Sequence, residues 1–268
     1  MKKTILSFVL MLVSLGICAQ VDRSTMPEPG PAPKIKLEDA ERFDLVNGLT
    51  VLVVENHKLP RVSIQLTMDN PPIFQGDKAG VASLTGSLLG NGSKTISKDE
   101  FNEEIDFMGA NLSFGSRGAY GSSLTKYFPR LLELMADAAI NPNFTQEEFD
   151  KEKDKLITGL KTQEKSAAAI ASRVQMALAY GKGHPYGEFT TEETVNNVSL
   201  VDVQRFYNDH FVSANAYLIV IGDTDLKEVK GLVEKHFSTW IKATPPTVQF
   251  SEPADAQYTQ INFVDVPN

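Results

Sequence analysis

Apolar side chains recur with two different periods along the chain. In residues 61–68 they alternate with polar ones, which is typical of a strand with one buried face. In residues 81–89 they recur at helical spacing and form a stripe of Val81, Leu84, Leu88 and Leu89. A continuous apolar run at 216–221 predicts a central strand. The chain is therefore expected to combine strands with helices.

Turn and capping residues locate the other elements. Asn47-Gly48 separates two strand patterns and predicts a tight hairpin, because both residues tolerate positive φ. Ser97 with Glu100, and Thr145 with Glu148, have the spacing of capping boxes at helix starts. Helices are predicted at 98–108, 129–140, 146–163, 167–180 and 226–237 and after Ser199, and further strands at 42–46, 49–55, 109–114, 122–126 and 258–266.

The order of these elements predicts the fold class. Three strands are followed by two helices, two strands, several helices, one strand and a helix, so strands do not alternate strictly with helices. Such an order favours an α+β fold, in which helices cover one side of a mixed, largely antiparallel sheet. The length of 268 residues suits one large domain, or one and a half smaller ones.

The N-terminus has the features of a secretory signal peptide in residues 1–19. Lys2 and Lys3 precede an apolar core, and Ala19 is a small residue at a cleavage site. The apolar run is too short to cross a bilayer comfortably, and Ile17 is bulkier than the residue that usually precedes a lipidated cysteine. We therefore expect export to a bacterial periplasm or cell surface, without lipidation or stable membrane insertion after cleavage. A Pro-rich linker is expected at 20–36.

Charge and cysteine content exclude several functions. The formal net charge is −8, and removal of the signal peptide would take away two of the lysines, so the exported chain would repel nucleic acid. Cys18 is the only cysteine and lies within the predicted signal peptide. The mature chain is thus expected to have no disulfide framework and no thiol chemistry.

The helix at 81–89 carries small residues opposite its apolar stripe. Ser83, Gly86 and Ser87 are spaced so that they lie on one face. A glycine inside a helix costs about 1 kcal/mol relative to alanine, so a helix gains nothing from it unless the space is needed. The residues alone therefore indicate that something packs closely against this face.

The flanks of this helix resemble the zinc helix of the inverzincin peptidases, the insulinase, pitrilysin and mitochondrial-processing-peptidase family, whose motif is H-x-x-E-H. Gly80-x-Ala82 precedes it and Gly92-Ser-Lys-Thr95 follows it. Further matching residues occur in the family's order: Phe43, Asn47-Gly48-Leu49 and Val53; Gly109–Ser113 with Ser116-Arg117; Pro142, Phe144, Phe149 and Glu152-Lys153; His184–Gly187; Ser199, Phe206-Tyr207, Ala214-Asn215 and Val220–Asp223; Phe237 and Trp240.

The resemblance implies a mitochondrial-processing-peptidase-like metallohydrolase domain at 37–245. Active family members usually have two such domains around a chamber. The resemblance therefore also implies that 246–268 form a linker and the first strand of a second, similar domain.

At the positions aligned with the family motif, the chain lacks every group needed for metal chemistry. Ser83 and Ser87 stand in place of the two His ligands, and Gly86 in place of the Glu base. Gly159, seven residues after Glu152, stands in place of the third ligand. Zinc needs three good N, O or S ligands and an open position for water, which hydroxyls and hydrogens do not supply. No metal, cofactor or catalytic residue is predicted, and Glu152 is interpreted as a solvated or capping carboxylate.

Other catalytic arrangements have weak sequence support. None of His57, His184, His210 and His236 pairs with another at i+3 or i+4, as helical metal ligands do, so each is interpreted as a surface or structural residue. A Ser/His/Asp triad stays open because its members come from distant positions, but the chain has no Gly-x-Ser-x-Gly elbow. The glycines near 115–121 are spaced too loosely for a phosphate loop.

Peptide binding could survive the loss of the ligands. In the family, a substrate segment adds as a strand to an exposed sheet edge, and this mode depends on backbone hydrogen bonds. The matching strand consists of Ala110, Asn111, Leu112, Ser113 and Phe114. An ordinary strand covered by another chain or domain is an equally good interpretation.

The resemblance thus implies an exported homologue that is not an enzyme on its own. It would pair as a heteromer with a zinc-bearing homologue and complete a chamber that degrades or processes peptides. Two alternatives stay open: a periplasmic peptide-binding or scaffold protein, and a metallopeptidase whose active residues lie outside this chain.

Overall fold

A computed structural model describes residues 40–247, together with residues 26, 30–32, 249–250, 253, 258–259 and 261–263. Its helices and strands all belong to the second of two units, Asp39–Asn268. The predicted signal peptide and most of the predicted linker lie outside the described residues. About half of the predicted strand at 258–266 also lies outside the described residues. The domain boundaries stay predictions.

Six strands and eight helices make up the described part of the chain. The strands are β1 (Glu41–Asp44), β2 (Thr50–Glu55), β3 (Arg61–Met68), β4 (Asn111–Gly115), β5 (Gly118–Leu124) and β6 (Ala216–Gly222). The helices are α1 (Val81–Leu89), α2 (Lys98–Met108), α3 (Phe128–Ile140), α4 (Gln146–Gln163), α5 (Ala167–Tyr180), α6 (Glu192–Asn196), α7 (Leu200–His210) and α8 (Leu226–Phe237).

The strands form one mixed sheet in the order β1-β2-β6-β3-β5-β4. Every neighbouring pair is antiparallel except β2 and β6, which are parallel. The predicted run at 216–221 is therefore a central strand, as expected. β4 lies at one edge of the sheet and β1 at the other. The predicted peptide-binding segment, residues 110–114, therefore coincides with the edge strand β4 but begins and ends one residue earlier.

Helices cover one face of this sheet, which confirms the predicted α+β fold. On β3 the predicted alternation holds, and Val62, Ile64, Leu66 and Met68 are buried. These side chains share a core with residues of α3 and α8. On the opposite face Tyr120, Tyr217 and Ile221 remain exposed. Burial of one face alone explains why the period of two is so regular in β3.

The first hairpin differs from its prediction. Its strands end at Asp44 and begin again at Thr50, and the loop is closed by the Leu45 N–H, which donates to the Leu49 carbonyl at 2.9 Å. Gly48 has a φ of +93°, but Asn47 does not adopt a positive φ. The Asn47 amide instead donates to the carbonyls of Phe237 and Trp240, at 2.8 and 3.2 Å. The prediction of a two-residue turn was therefore wrong, because Asn47 makes a tertiary contact.

Strand β5 begins at Gly118 rather than at 122, since a two-residue turn, Ser116-Arg117, joins it to β4. Gly118 has a φ of +137°, and an added Cβ would lie 2.8 Å from the Leu66 carbonyl carbon and closer still to its oxygen. No other residue type fits this approach of the turn to β3. The turn is thus held in place by the neighbouring strand.

One of the two capping boxes forms. Ser97 and Glu100 exchange both hydrogen bonds at the start of α2. Thr145 accepts from the Glu148 N–H, but the Glu148 carboxylate instead accepts from Lys98 at 2.5 Å and from Lys151 at 3.0 Å. The second box was therefore predicted wrongly, because two lysines compete for its carboxylate.

Candidate functional site

Helix α1 starts from a tightly constrained position. Gly80 precedes it with a φ of +115°, and an added Cβ would lie 2.9 Å from a methyl group of Val195. The Gln75 side-chain oxygen accepts from the N–H groups of Gly80 and Ala82, at 3.2 and 3.0 Å, and so caps the helix from outside it. The Glu188 carboxylate in turn accepts from the Gln75 N–H at 3.1 Å, and burial raises the pKa of this carboxyl.

The predicted apolar stripe of α1 is buried. Val81, Leu84 and Leu88 belong to one cluster with Leu160 of α4, and Leu156 of α4 packs against it. Because α1 and α4 pack together through these residues, the structure brings the helix of Ser83, Gly86 and Ser87 next to the helix of Gly159.

Gly86 is buried under the turn between β4 and β5. An added Cβ would lie 2.5 Å from the Gly115 carbonyl carbon and closer still to the Ser116 nitrogen. Real Cβ atoms essentially never approach so closely, so the turn or the helix would have to move. The prediction of close packing on this face is confirmed at Gly86, whereas Ser83 and Ser87 are exposed.

Gly159 is in a different environment. It is exposed on α4, and nothing lies within 4 Å of an added Cβ. Glu152 lies seven residues earlier, on the same face of α4. Its side chain is only 13% exposed and accepts a hydrogen bond from Lys155 at 2.6 Å. The interpretation of Glu152 as a solvated or capping carboxylate was therefore wrong, since it is ion-paired and largely covered.

The residues present at these positions do not fit zinc. Two neutral hydroxyls are poor ligands, and the backbone of the β4–β5 turn fills the space beside Gly86, the residue predicted to stand in place of the base. Within the described ranges, no group of three or more His, Cys, Asp or Glu residues is arranged to hold a metal ion.

The histidines do not build a hydrolytic triad among the described residues. His57 Nδ1 lies 2.8 Å from Asp223, and Asp223 also accepts from the Thr125 hydroxyl at 3.0 Å. The hydrogen bond to Asp223 raises the pKa of the exposed His57. The other ring nitrogen of His57, Nε2, lies 3.7 Å from a carboxylate oxygen of Glu55. A triad would need the hydroxyl of a nucleophile at this place. The described hydrogen bonds place no serine hydroxyl on a histidine ring.

His210 is buried at the end of α7. It is 7% exposed, and its Nδ1 has no hydrogen-bond partner among the described residues. Its ring lies 4.5 Å from that of Phe206, between centroids. Burial lowers the pKa of His210, and nearby Asp209 opposes this only in part. The folded protein therefore keeps this imidazole neutral at pH values where the unfolded chain takes up a proton.

We expect the free energy of unfolding to decrease as the pH falls through about 6.5, the ordinary histidine pKa. A single group contributes a slope of at most about 1.4 kcal/mol per pH unit. Urea unfolding from pH 8 to 5 should show a shallower decrease in His210→Phe. In the control His57→Gln the decrease should be steeper, because the raised pKa of His57 stabilises the folded protein at low pH. Parallel pH profiles for wild type and His210→Phe would contradict this assignment.

The predicted peptide-binding strand lies where a peptide could reach it. No described strand pairs with the outer edge of β4. Leu112 and Phe114 turn toward the core, whereas Asn111 and Ser113 are exposed. Ala110 precedes the strand and packs against the core. The structure thus leaves this edge open, and its peptide role stays a prediction.

A cavity of about 310 Å³ lies beside the turn that follows β4. It lies between the loop at 70–73, Ala82 of α1, the turn Ser116-Arg117, the loop at 185–186 and Phe206 of α7. We call it the turn cavity. Sequence reasoning did not find it, because its walls come from five distant segments. A second cavity, of about 910 Å³, lies away from α1, between α2, α3 and α8.

Two family models match the sequence. The model described as insulinase (peptidase family M16) matches residues 50–186, which is just over half of the chain. The model described as peptidase M16 inactive domain matches residues 197–265.

Curated relatives are similar at low identity. Cytochrome b-c1 complex subunit 1 of Bos taurus is 24% identical over 201 residues, covering 72% of this chain and 42% of that protein. Mitochondrial-processing peptidase subunit beta of Rattus norvegicus is 23% identical over 223 residues, covering 81% and 45%. An uncharacterized zinc protease of Rickettsia felis is 24% identical over 207 residues, covering 73% and 49%. The chain spans about half the length of the curated relatives it matches.

Solved structures share the fold. A protease from Helicobacter pylori has a TM-score of 0.75 at 22% identity, covering 81% of this chain and 55% of that one. The first half of the periplasmic protease PqqL from Escherichia coli has a TM-score of 0.69 at 20% identity, covering 81% and 50%. The arrangement of the sheet and helices described above is therefore that of these peptidase domains.

Proposed function

We propose a function from the premise that this chain belongs to the insulinase family of peptidases, family M16. In our proposal it is a non-catalytic member that pairs with a zinc-bearing homologue. It would supply one wall of a chamber that degrades or processes peptides and would hold peptides on the outer edge of β4.

The observation that carries this proposal is the burial of Gly86 under the β4–β5 turn. A lost ligand alone could be replaced by a neighbouring side chain. Here the space of the base is filled by the backbone of Gly115 and Ser116. The fold retains the helix and the edge strand, while the position from which a carboxylate would activate water is closed. Such a structure supports peptide binding better than hydrolysis.

The names of two relatives support pairing. The mitochondrial-processing peptidase protein is named as its subunit beta, and the cytochrome b-c1 protein as subunit 1 of a complex. A chain that spans about half of such relatives would need further domains or a partner to enclose a chamber. We propose that residues 246–268 lead into a second, similar domain. Of this segment, Ile261 and Phe263 are 78% and 92% exposed, as expected for side chains that another element would cover.

We also propose export to the periplasm or cell surface. The predicted signal peptide supports it, and one structural neighbour is named as a periplasmic protease. Among the described residues, no helix has both the length and the apolar character that crossing a bilayer requires.

Affinity purification from the native host tests the pairing. The tagged full-length protein should bring down a zinc peptidase, and the eluate should cleave a fluorogenic peptide in an EDTA-sensitive manner. The same chain made alone in a heterologous host should not cleave it. Recovery without a zinc peptidase would favour a free peptide-binding or scaffold protein. Cleavage by the full-length chain alone would show that active residues lie elsewhere in the protein, and would reject the proposal.

A further inference from the structure

The walls of the turn cavity combine apolar and polar surface with one charged group. Pro71, Ile73 and Phe206 supply apolar surface, and Tyr186 lies beside them with half of its surface exposed. Arg117 is the only charged residue among those that line the cavity. A site of this composition favours a ligand that brings an apolar body and a negative charge.

The charge of Arg117 is not used within the described part of the chain. Its side chain makes no ion pair or hydrogen bond with any described residue, although the protein as a whole is acidic. The neighbouring amide of Asn70 is already occupied: it donates to the His210 carbonyl at 3.1 Å and accepts from Asn215 at 2.9 Å. Arg117 is thus the charged lining group that is available to a carboxylate.

The backbone on both sides of Arg117 is constrained by its neighbours. The Met68 N–H donates to the Arg117 carbonyl at 2.9 Å. The same turn packs on Gly86 of α1 and is followed by Gly118, whose conformation only glycine adopts readily. A fixed turn lowers the entropic cost of presenting the guanidinium to a ligand.

The turn directly follows β4, so a peptide on the β4 edge would end or pass at this cavity. If the peptide runs parallel to β4, its C-terminal end reaches Arg117. If it runs antiparallel, its N-terminal end is there, and only an Asp or Glu side chain could offer a carboxylate. Both sources supply the same planar group, which a guanidinium binds through two hydrogen bonds.

We propose that the turn cavity binds a carboxylate of the peptide held on β4, through Arg117, with an apolar peptide side chain against Pro71, Ile73 and Phe206. This inference rests on the proposed peptide-binding function and narrows it to one class of ligand, peptides that carry a carboxylate next to an apolar residue.

Fluorescence anisotropy with the full-length protein and labelled ten-residue peptides tests it. One peptide has a free C-terminus and an internal Asp, a second has an amidated C-terminus, a third has Asp replaced by Asn, and a fourth has both changes. Arg117→Gln should weaken binding of the first peptide about ten- to hundredfold and leave binding of the fourth peptide unchanged. Loss of affinity in the second peptide indicates a C-terminal carboxylate, and loss in the third indicates a side chain.

Two further variants keep the test specific. Arg61→Gln removes the same charge at the opposite end of β3 and should bind as wild type does, because Arg61 pairs in register with Leu124 and not with the turn. Arg117→Lys should recover only part of the affinity, since an ammonium lacks the planar pair of donors. If Arg117→Gln binds each peptide as tightly as wild type does, the carboxylate inference is overturned but peptide binding is not. Absence of binding by every peptide, including the neutral one, would overturn both.

Discussion

Gly86→Ala will lower the free energy of unfolding by about 1–3 kcal/mol, although alanine is the better helix former. The new methyl group would meet the backbone of Gly115 and Ser116 well inside van der Waals contact. Backbone atoms cannot rotate away as a side chain does, so either the turn or α1 must shift. Gly86→Glu, which restores the residue type of the family's base, will be more destabilising still.

Gly159→Ala is the matched control, because it makes the same chemical change inside another helix. Nothing lies within 4 Å of the added methyl group. We expect this variant to gain about 0.5–1 kcal/mol from helix propensity alone. Urea unfolding of the two variants under one condition gives the comparison. Equal stabilisation by both would mean that the turn does not press on α1, and the argument from Gly86 would fail.

A second large effect is expected from restoring the three ligands without the base. The variant with Ser83→His, Ser87→His and Gly159→Glu should bind about one zinc ion per chain. Ser83 and Ser87 lie one helical turn apart and are exposed, and α1 packs directly on α4. Because both serines are exposed, the new histidine side chains can extend into solvent. Nothing lies within 4 Å of a Cβ added at Gly159, so the new glutamate also has room. Hydrolysis should not return, because Gly86 leaves no room for the carboxylate that activates water.

The control for zinc binding keeps both histidines and moves the glutamate. Ser83→His and Ser87→His with Gly231→Glu has the same composition, but Gly231 lies on α8 with open space around it. It should bind zinc far more weakly than the first variant, as measured by metal analysis after dialysis. A folded first variant without zinc would show that α1 and α4 do not direct the three positions to one point.

The sequence predicted those features that depend on local periodicity. The alternation in β3, the stripe of α1 and the capping box at Ser97 all follow from neighbouring residues, and the structure contains each of them. Gly86 was also recognisable as a position of close packing, since a helix otherwise disfavours glycine.

The failures at Asn47 and Glu148 have a different cause, since each involves a residue distant in the chain. Asn47 leaves its expected turn to contact α8 and the residues after it, and Glu148 leaves its capping box for Lys98 of α2. The partner that fills the space beside Gly86 is a turn about thirty residues away, and the turn cavity is lined by five separate segments. No local pattern specifies such contacts, so the sequence could name candidate positions but could not describe what surrounds them.

The zinc content of the unmodified full-length protein, measured together with its peptide hydrolysis, tests the central claim most directly. Protein produced alone and dialysed against micromolar zinc should retain no stoichiometric metal and should release no fluorescence from a quenched peptide, with or without EDTA. One tightly held zinc per chain, with cleavage that EDTA abolishes, would contradict the claim that Ser83, Gly86, Ser87 and Gly159 have left this peptidase scaffold without chemistry of its own.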